Sequence, residues 1–132
     1  MTRSFSIKTI LLADAATCAA MGALLVLATD RLAGLTGIPA QLLLYAGWSL
    51  LPIAVFMAGC ARLAAGFPAA PWLAVAGNAL WVAASIGLLF GPIAPNALGV
   101  SFILAQAAAV AFLAWLEYRA LQPGSAAIAR AG

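Results

Sequence analysis

Asp14 lies in a run from Ile10 to Ala28 dominated by alanine and leucine. A carboxylate inside a bilayer is costly, roughly 2.5–3.5 kcal/mol on insertion scales. Such a group faces neighbouring helices, finds donors or carries a proton. Farther along, Asn78, Trp81 and Ser85 recur at i, i+3 and i+7, the spacing of one helix face. Asn78 offers an amide, and a buried Trp81 indole needs an acceptor for its N–H. Gln106, near the middle of a later apolar run, can supply one. Asp14, Asn78, Trp81, Ser85 and Gln106 are therefore expected to line one polar seam inside the membrane. Its chemistry is either interhelical hydrogen bonding or the binding of a proton or cation by Asp14.

Other chemistry is poorly provided for. The chain has no histidine, which removes the commonest metal ligand and the usual general base. Its single lysine, Lys8, precedes the first apolar run, so no lysine is placed for a Schiff base in the membrane. Cys18 and Cys60 form no paired motif and read as free, buried small residues. Glu117 reads as marking the end of the last apolar run and is not expected beside Asp14. These residues predict no catalytic group, no metal and no cofactor, and hence a protein that is not an enzyme.

The elements that must position the seam follow from charge and hydropathy. Of 132 residues 67% are hydrophobic and only 7% charged, against ~25% charged in soluble domains. Leu32–Ala61 and Leu63–Leu116 carry no charge at all. A membrane-crossing helix needs ~20 apolar residues, so the first stretch holds one span and the second two. With the N-terminal run this predicts an all-α polytopic membrane protein. It is a compact bundle of four transmembrane helices spanning about 8–29, 40–61, 72–90 and 97–118. Residues 1–122 form a single domain and 123–132 a flexible tail. Gly34 to Pro39, Ala65 to Pro71 and Gly91 to Asn96 supply the turns between spans. Arg3 and Lys8 before the first run resemble the start of a signal peptide, but Asp14 interrupts its apolar core, and a retained span is expected.

Positive charge predicts orientation. Arg3, Lys8, Arg62, Arg119 and Arg130 fall on one side and only Arg31 on the other, which puts both termini in the cytoplasm. The net charge of +3 is too small to argue for nucleic acid. Asp14 and Asn78 lie at similar depths from the cytoplasmic face, which predicts a hydrogen bond between spans one and three. Asp14 also aligns with Asn78, and Gly47-Trp48-Ser49 with Gly99-Val100-Ser101, in a faint internal repeat.

Pro52 inside span two frees the Trp48 carbonyl and predicts a helix kink. Ala15, Ala19 and Ala23 on span one, and Ala79, Ala83, Gly87 and Gly91 on span three, form small-residue stripes that let helices approach closely. A stripe unused inside the bundle can serve a homo-oligomer or a membrane-protein partner.

Asp14, the Gly37-Ile38-Pro39 turn, Asn78-x-x-Trp81 with Ser85, and Gln106 together resemble a group of uncharacterised small four-span bacterial inner-membrane proteins. The resemblance covers most of the chain and implies the fold and the membrane location, without an activity. The small multidrug transporters also have four short spans and an acidic residue in the first. Here the acid is an aspartate nearer the cytoplasmic edge, and the five-to-one charge bias departs from their balanced loops.

Two functions are expected from these residues. The first is a non-catalytic accessory or helix-packing subunit of a membrane complex, whose partners are the lipid bilayer and either another membrane protein or further copies of itself. The alternative is a small proton- or cation-linked transporter that uses Asp14.

Overall fold

The computed structural model describes residues 6–63, 66–67, 69–91 and 93–122. Among these the chain forms five helices and is otherwise turn and loop. They are α1 (Ile7–Leu27), α2 (Thr29–Thr36), α3 (Ala40–Leu63), α4 (Ala69–Leu88) and α5 (Ala97–Leu121). All but α2 are long and apolar enough to cross a membrane. Their outward surfaces are apolar as well: Val55 on α3 is 73% exposed and Leu80 on α4 72%. Side chains of this kind, exposed in such number, suit hydrocarbon rather than water. The expected tail at 123–132 lies outside the described residues.

Local signals set the helix ends. Ser6 caps α1, its hydroxyl accepting the Thr9 N–H at 3.2 Å. At the other end the Thr29 hydroxyl meets the carbonyls of Leu25 and Val26, and the chain turns at Ala28 directly into α2. The stretch from Gly34 was expected to be a turn. The structure instead continues helix to Thr36 and confines the turn to Gly37–Pro39. Thr36 closes α2 by donating to the Leu32 carbonyl at 2.6 Å. Gly37 takes a left-handed φ of +73°, which glycine adopts at little cost. Leu32 and Ala33 turn inward against the core while Asp30 and Arg31 stay exposed. The burial of that apolar face offsets the glycine inside a short helix.

The starts at Ala40 and Ala97 fall where expected, and the other boundaries shift by one to three residues. The third long helix starts at Ala69 rather than Trp72 and ends at Leu88 rather than Phe90; the fourth runs to Leu121 rather than Tyr118. Pro52 lies within an unbroken α3.

Packing is strongest within two pairs, α1 with α3 and α4 with α5. Gly22 and Gly47 make the first pair possible. A Cβ on Gly47 would come within 2.8 Å of Leu25 Cβ and 3.0 Å of the Gly22 carbonyl oxygen. The α5 start is tied to the α2 end through Asn96. Its N–H donates to the Thr36 carbonyl at 3.0 Å, its side-chain amide to the Leu35 carbonyl at 2.9 Å, and its Oδ1 caps α5 by accepting the Gly99 N–H at 2.9 Å. Gly99 packs so closely on the Thr36 carbonyl that any side chain there would collide with it.

Two apolar clusters fill the interior. One, at the end carrying the α1 N-terminus, joins Leu11, Ala15, Met57, Cys60, Ala61, Ala70 and Ala74. The other joins Cys18, Leu25, Ile38, Leu43, Leu50, Ala54 and Ile103. The small-residue stripe expected to pack α4 does not do so. Ala79, Ala83, Gly87 and Gly91 are all exposed, because α4 turns the face bearing Ala70, Ala74, Asn78 and Ser85 inward instead. Polar partners on that face outweigh the close approach that the stripe offers.

Candidate functional site

The polar side chains collect in two layers joined by α4. The first layer sits about two turns into α1. Asp14 is 1% exposed, Asn78 4% and Glu117 0%. Asn78 Nδ2 donates to Asp14 Oδ2 at 2.5 Å and to Glu117 Oε1 at 2.9 Å. One amide group thus holds two carboxyl groups from α1 and α5. Cys18, one turn beyond Asp14, directs its thiol at Asp14 Oδ1 across 3.6 Å. Glu117 Oε2 is buried with no hydrogen-bond partner among the described residues.

Helix geometry explains the convergence. Asp14 and Cys18 are four residues apart on the buried face of α1, with Leu11 and Ala15 beside them. Asn78 occupies the inward face of α4. Glu117 stands one turn before the end of α5 and eleven residues after Gln106. Eleven residues are close to three helical turns, so Gln106 and Glu117 share one face of α5.

Residue spacing did not suggest Glu117 as a partner of Asp14; the structure corrects that. A span ending at Tyr118 leaves Glu117 at the membrane edge, where a carboxylate reaches water. Because α5 continues to Leu121, Glu117 is drawn into the interior. The available signal was its register with Gln106.

The second layer lies one to two turns farther along α4. The Trp81 indole N–H donates to Gln106 Oε1 at 2.9 Å. Gln106 Nε2 donates to Ser85 Oγ at 2.9 Å and to the Ile103 carbonyl at 3.0 Å. Ser85 Oγ donates back to the Trp81 carbonyl at 2.8 Å. This is a closed neutral network. The structure therefore brings Asp14 to Asn78 and Trp81 to Ser85 and Gln106, as two adjacent sites rather than one continuous chain of bonds. Pro52, on α3, belongs to neither.

Chemically the two layers differ. The first has two carboxyl groups, near neighbours because both bond the same nitrogen, and its recorded donors are an amide and a thiol, neither of them a cation. Two like charges in a medium of low dielectric repel strongly. A proton on either carboxyl removes that repulsion. Among the described residues no group of three or more His, Cys, Asp or Glu side chains is arranged to hold a metal ion. The second layer borders a cavity of about 320 Å³ between α3 and the α4–α5 pair, to which Trp81, Ser85 and Gln106 contribute one wall. Cys18 and Cys60 are both free and buried.

Comparison with protein-family models, with curated proteins and with solved structures found no match for this chain.

Proposed function

We propose that this chain is a small proton-linked carrier of the bacterial inner membrane: a compact four-helix bundle with both termini in the cytoplasm, whose proton site is the Asp14–Glu117 pair. The observation that carries the reading is the convergence of two fully buried carboxyl groups, from α1 and α5, on the single amide of Asn78. Buried ionisable groups are expensive inside a membrane, and proton relays and substrate paths are among the functions they serve there. A pure packing role needs only the amide and one acceptor. The second carboxyl, with one oxygen unpartnered, is surplus to packing and suited to proton exchange. The orientation rests on the five-to-one excess of Lys and Arg on the side of the termini.

The reading is tested in reconstituted vesicles carrying a proton gradient and a panel of neutral and cationic lipophilic dyes. The expected result is gradient-driven movement of at least one dye, lost in Asp14→Asn and in Glu117→Gln. Absence of gradient-driven movement across the panel counts against the carrier, as does movement unchanged in both variants.

A second reading, an accessory or helix-packing subunit, is favoured by a different observation. Ala79, Ala83 and Gly87 leave an exposed strip of small side chains along α4, the surface on which a second membrane helix packs closely. A cysteine placed at Ala83, in a chain whose Cys18 and Cys60 are replaced by alanine, would then cross-link to a neighbour in native membranes. Recovery of only uncross-linked monomer would sink this reading.

A further inference from the structure

The cavity beside the second layer is not needed to hold the proton pair, and its lining has a defined chemistry. It measures about 320 Å³, at the lower end of the ~300–1,000 Å³ typical of small-molecule sites. None of its lining residues is charged. Apolar side chains such as Leu43, Leu50 and Phe102 make up most of the wall. The polar atoms of its Trp81–Ser85–Gln106 corner are bonded to one another, which leaves the Ser49 hydroxyl as a further hydrogen-bonding group in the lining. At its rim stand Tyr45, 60% exposed on α3, and Ala84, exposed on α4. The Tyr45 hydroxyl is held by Gln41 at 2.8 Å. The cleft therefore opens sideways between α3 and α4, toward the surface that faces lipid.

We propose that this cleft is the cargo chamber of the carrier and takes one uncharged, predominantly apolar small molecule that enters from the bilayer between α3 and α4. The assignment names the cargo of the proton-linked reading and rests on it. A charged ligand would lose its hydration and find no counter-charge on these walls. An uncharged aromatic or polycyclic molecule loses little, and it gains the flat faces of Trp81 and Phe102 and one hydrogen bond from Ser49. The chamber meets the proton site through α4, which carries Asn78 at one level and Trp81 and Ser85 at the next. A ligand that displaces Trp81 or Ser85 bears on the helix that holds the two carboxyl groups.

The test uses the full chain in phospholipid nanodiscs, with Trp48, Trp72 and Trp115 replaced by phenylalanine so that Trp81 is the sole tryptophan. The probe is N-phenyl-1-naphthylamine, which is uncharged, with its sulfonated analogue 8-anilino-1-naphthalenesulfonate as the charged control. Energy transfer from Trp81 to the neutral probe is expected to saturate at one probe per chain, with none to the sulfonate. Ala84→Phe, which fills the open mouth, is expected to weaken binding by about tenfold or more, since its ring takes up much of a chamber at the lower end of ligand-site volumes. Ala46→Phe fills the cleft from the opposite wall, so that one variant's misfolding does not remove the test; helicity by circular dichroism identifies the folded ones. Transfer that rises linearly with probe in the membrane, and equally in the filled variants, would mean that an acyl chain of the lipid occupies the cleft, and would overturn the proposal. Binding of both probes alike would overturn the uncharged class. The readout needs no proton movement. Saturable binding without gradient-driven flux would keep the chamber and remove the carrier; flux without saturable binding would do the reverse.

Discussion

Asn78 is the residue on which the site depends, because its amide nitrogen is the shared donor of Asp14 and Glu117. Replacing it with leucine keeps the branched shape and leaves two buried carboxyl groups without that donor. Leaving a buried polar group unsatisfied costs about 1–3 kcal/mol. Asn78→Leu is expected to lower unfolding stability in detergent by that order, and Ser85→Ala by less, since Ser85 bonds only neutral groups. Equal stability of the two variants would show that the amide is not holding the carboxyl pair. Asp14 and Asn78 were legible in the sequence because a polar side chain deep in an apolar run stands out, and their depths can be compared by counting residues from the same side. Glu117 was not, because its burial depends on where α5 stops. An end three residues later turns an interfacial carboxylate into an interior one.

At the scale of elements three of the four long helices were legible from charge-free length and α1 from its hydropathy despite Asp14, while α2 was not. Asp30, Arg31 and Gly34 have the composition of a loop, and the helix is held by tertiary contacts: Leu32 and Ala33 on the core, and Asn96 on the Leu35 and Thr36 carbonyls. Asn96→Ala removes the α5 cap together with the side-chain bond to the Leu35 carbonyl, and keeps the backbone bond to Thr36. Loss of a cap alone costs about 0.5–2 kcal/mol, and the variant is expected at or above the upper part of that range in thermal unfolding. A loss under half a kcal/mol would mean that α2 is held by its apolar face without the Asn96 side chain. Glycines give a second comparison. Gly47→Ala forces a Cβ against Leu25 and Val26 at under 3 Å, and overpacking of this kind costs about 1–3 kcal/mol. Gly59, in the same helix, has open space where its Cβ would be, and alanine there is expected to stabilise α3 by about 0.5–1 kcal/mol. Similar effects of the two substitutions would contradict the close α1–α3 approach. The small-residue stripe on α4 misled in the opposite sense. Spacing shows that a face permits close packing; which face turns inward depends on the partners of Asn78 and Trp81 on other helices.

For the whole molecule, the proposed topology has four crossings with both termini on one side, and the excess of Lys and Arg there is what supports the cytoplasm for that side. A fluorescent-protein fusion at the C-terminus is expected to be bright and an alkaline phosphatase fusion there inactive, with the reverse for phosphatase inserted between Ile93 and Asn96. Active phosphatase at the C-terminus would invert the topology and move the carboxyl pair to the outer half of the bilayer. The pairing of α1 with α3 and of α4 with α5 leaves the cleft between the two units. That pairing was not legible in residue spacing, since it depends on the close approach at Gly22 and Gly47 and on the tie from Asn96 to α2.

The central claim is that Asp14 and Glu117 share a proton around Asn78, and infrared spectroscopy of the purified chain in lipid reads it most directly. Only three acidic side chains are present, and the third, Asp30, is exposed. The account predicts a protonated-carboxyl C=O band from one group per chain, shifted or lost in both Asp14→Asn and Glu117→Gln and retained in Asp30→Asn. A spectrum showing only ionised carboxylates, or a carboxylic-acid band indifferent to Asp14 and Glu117, would contradict it.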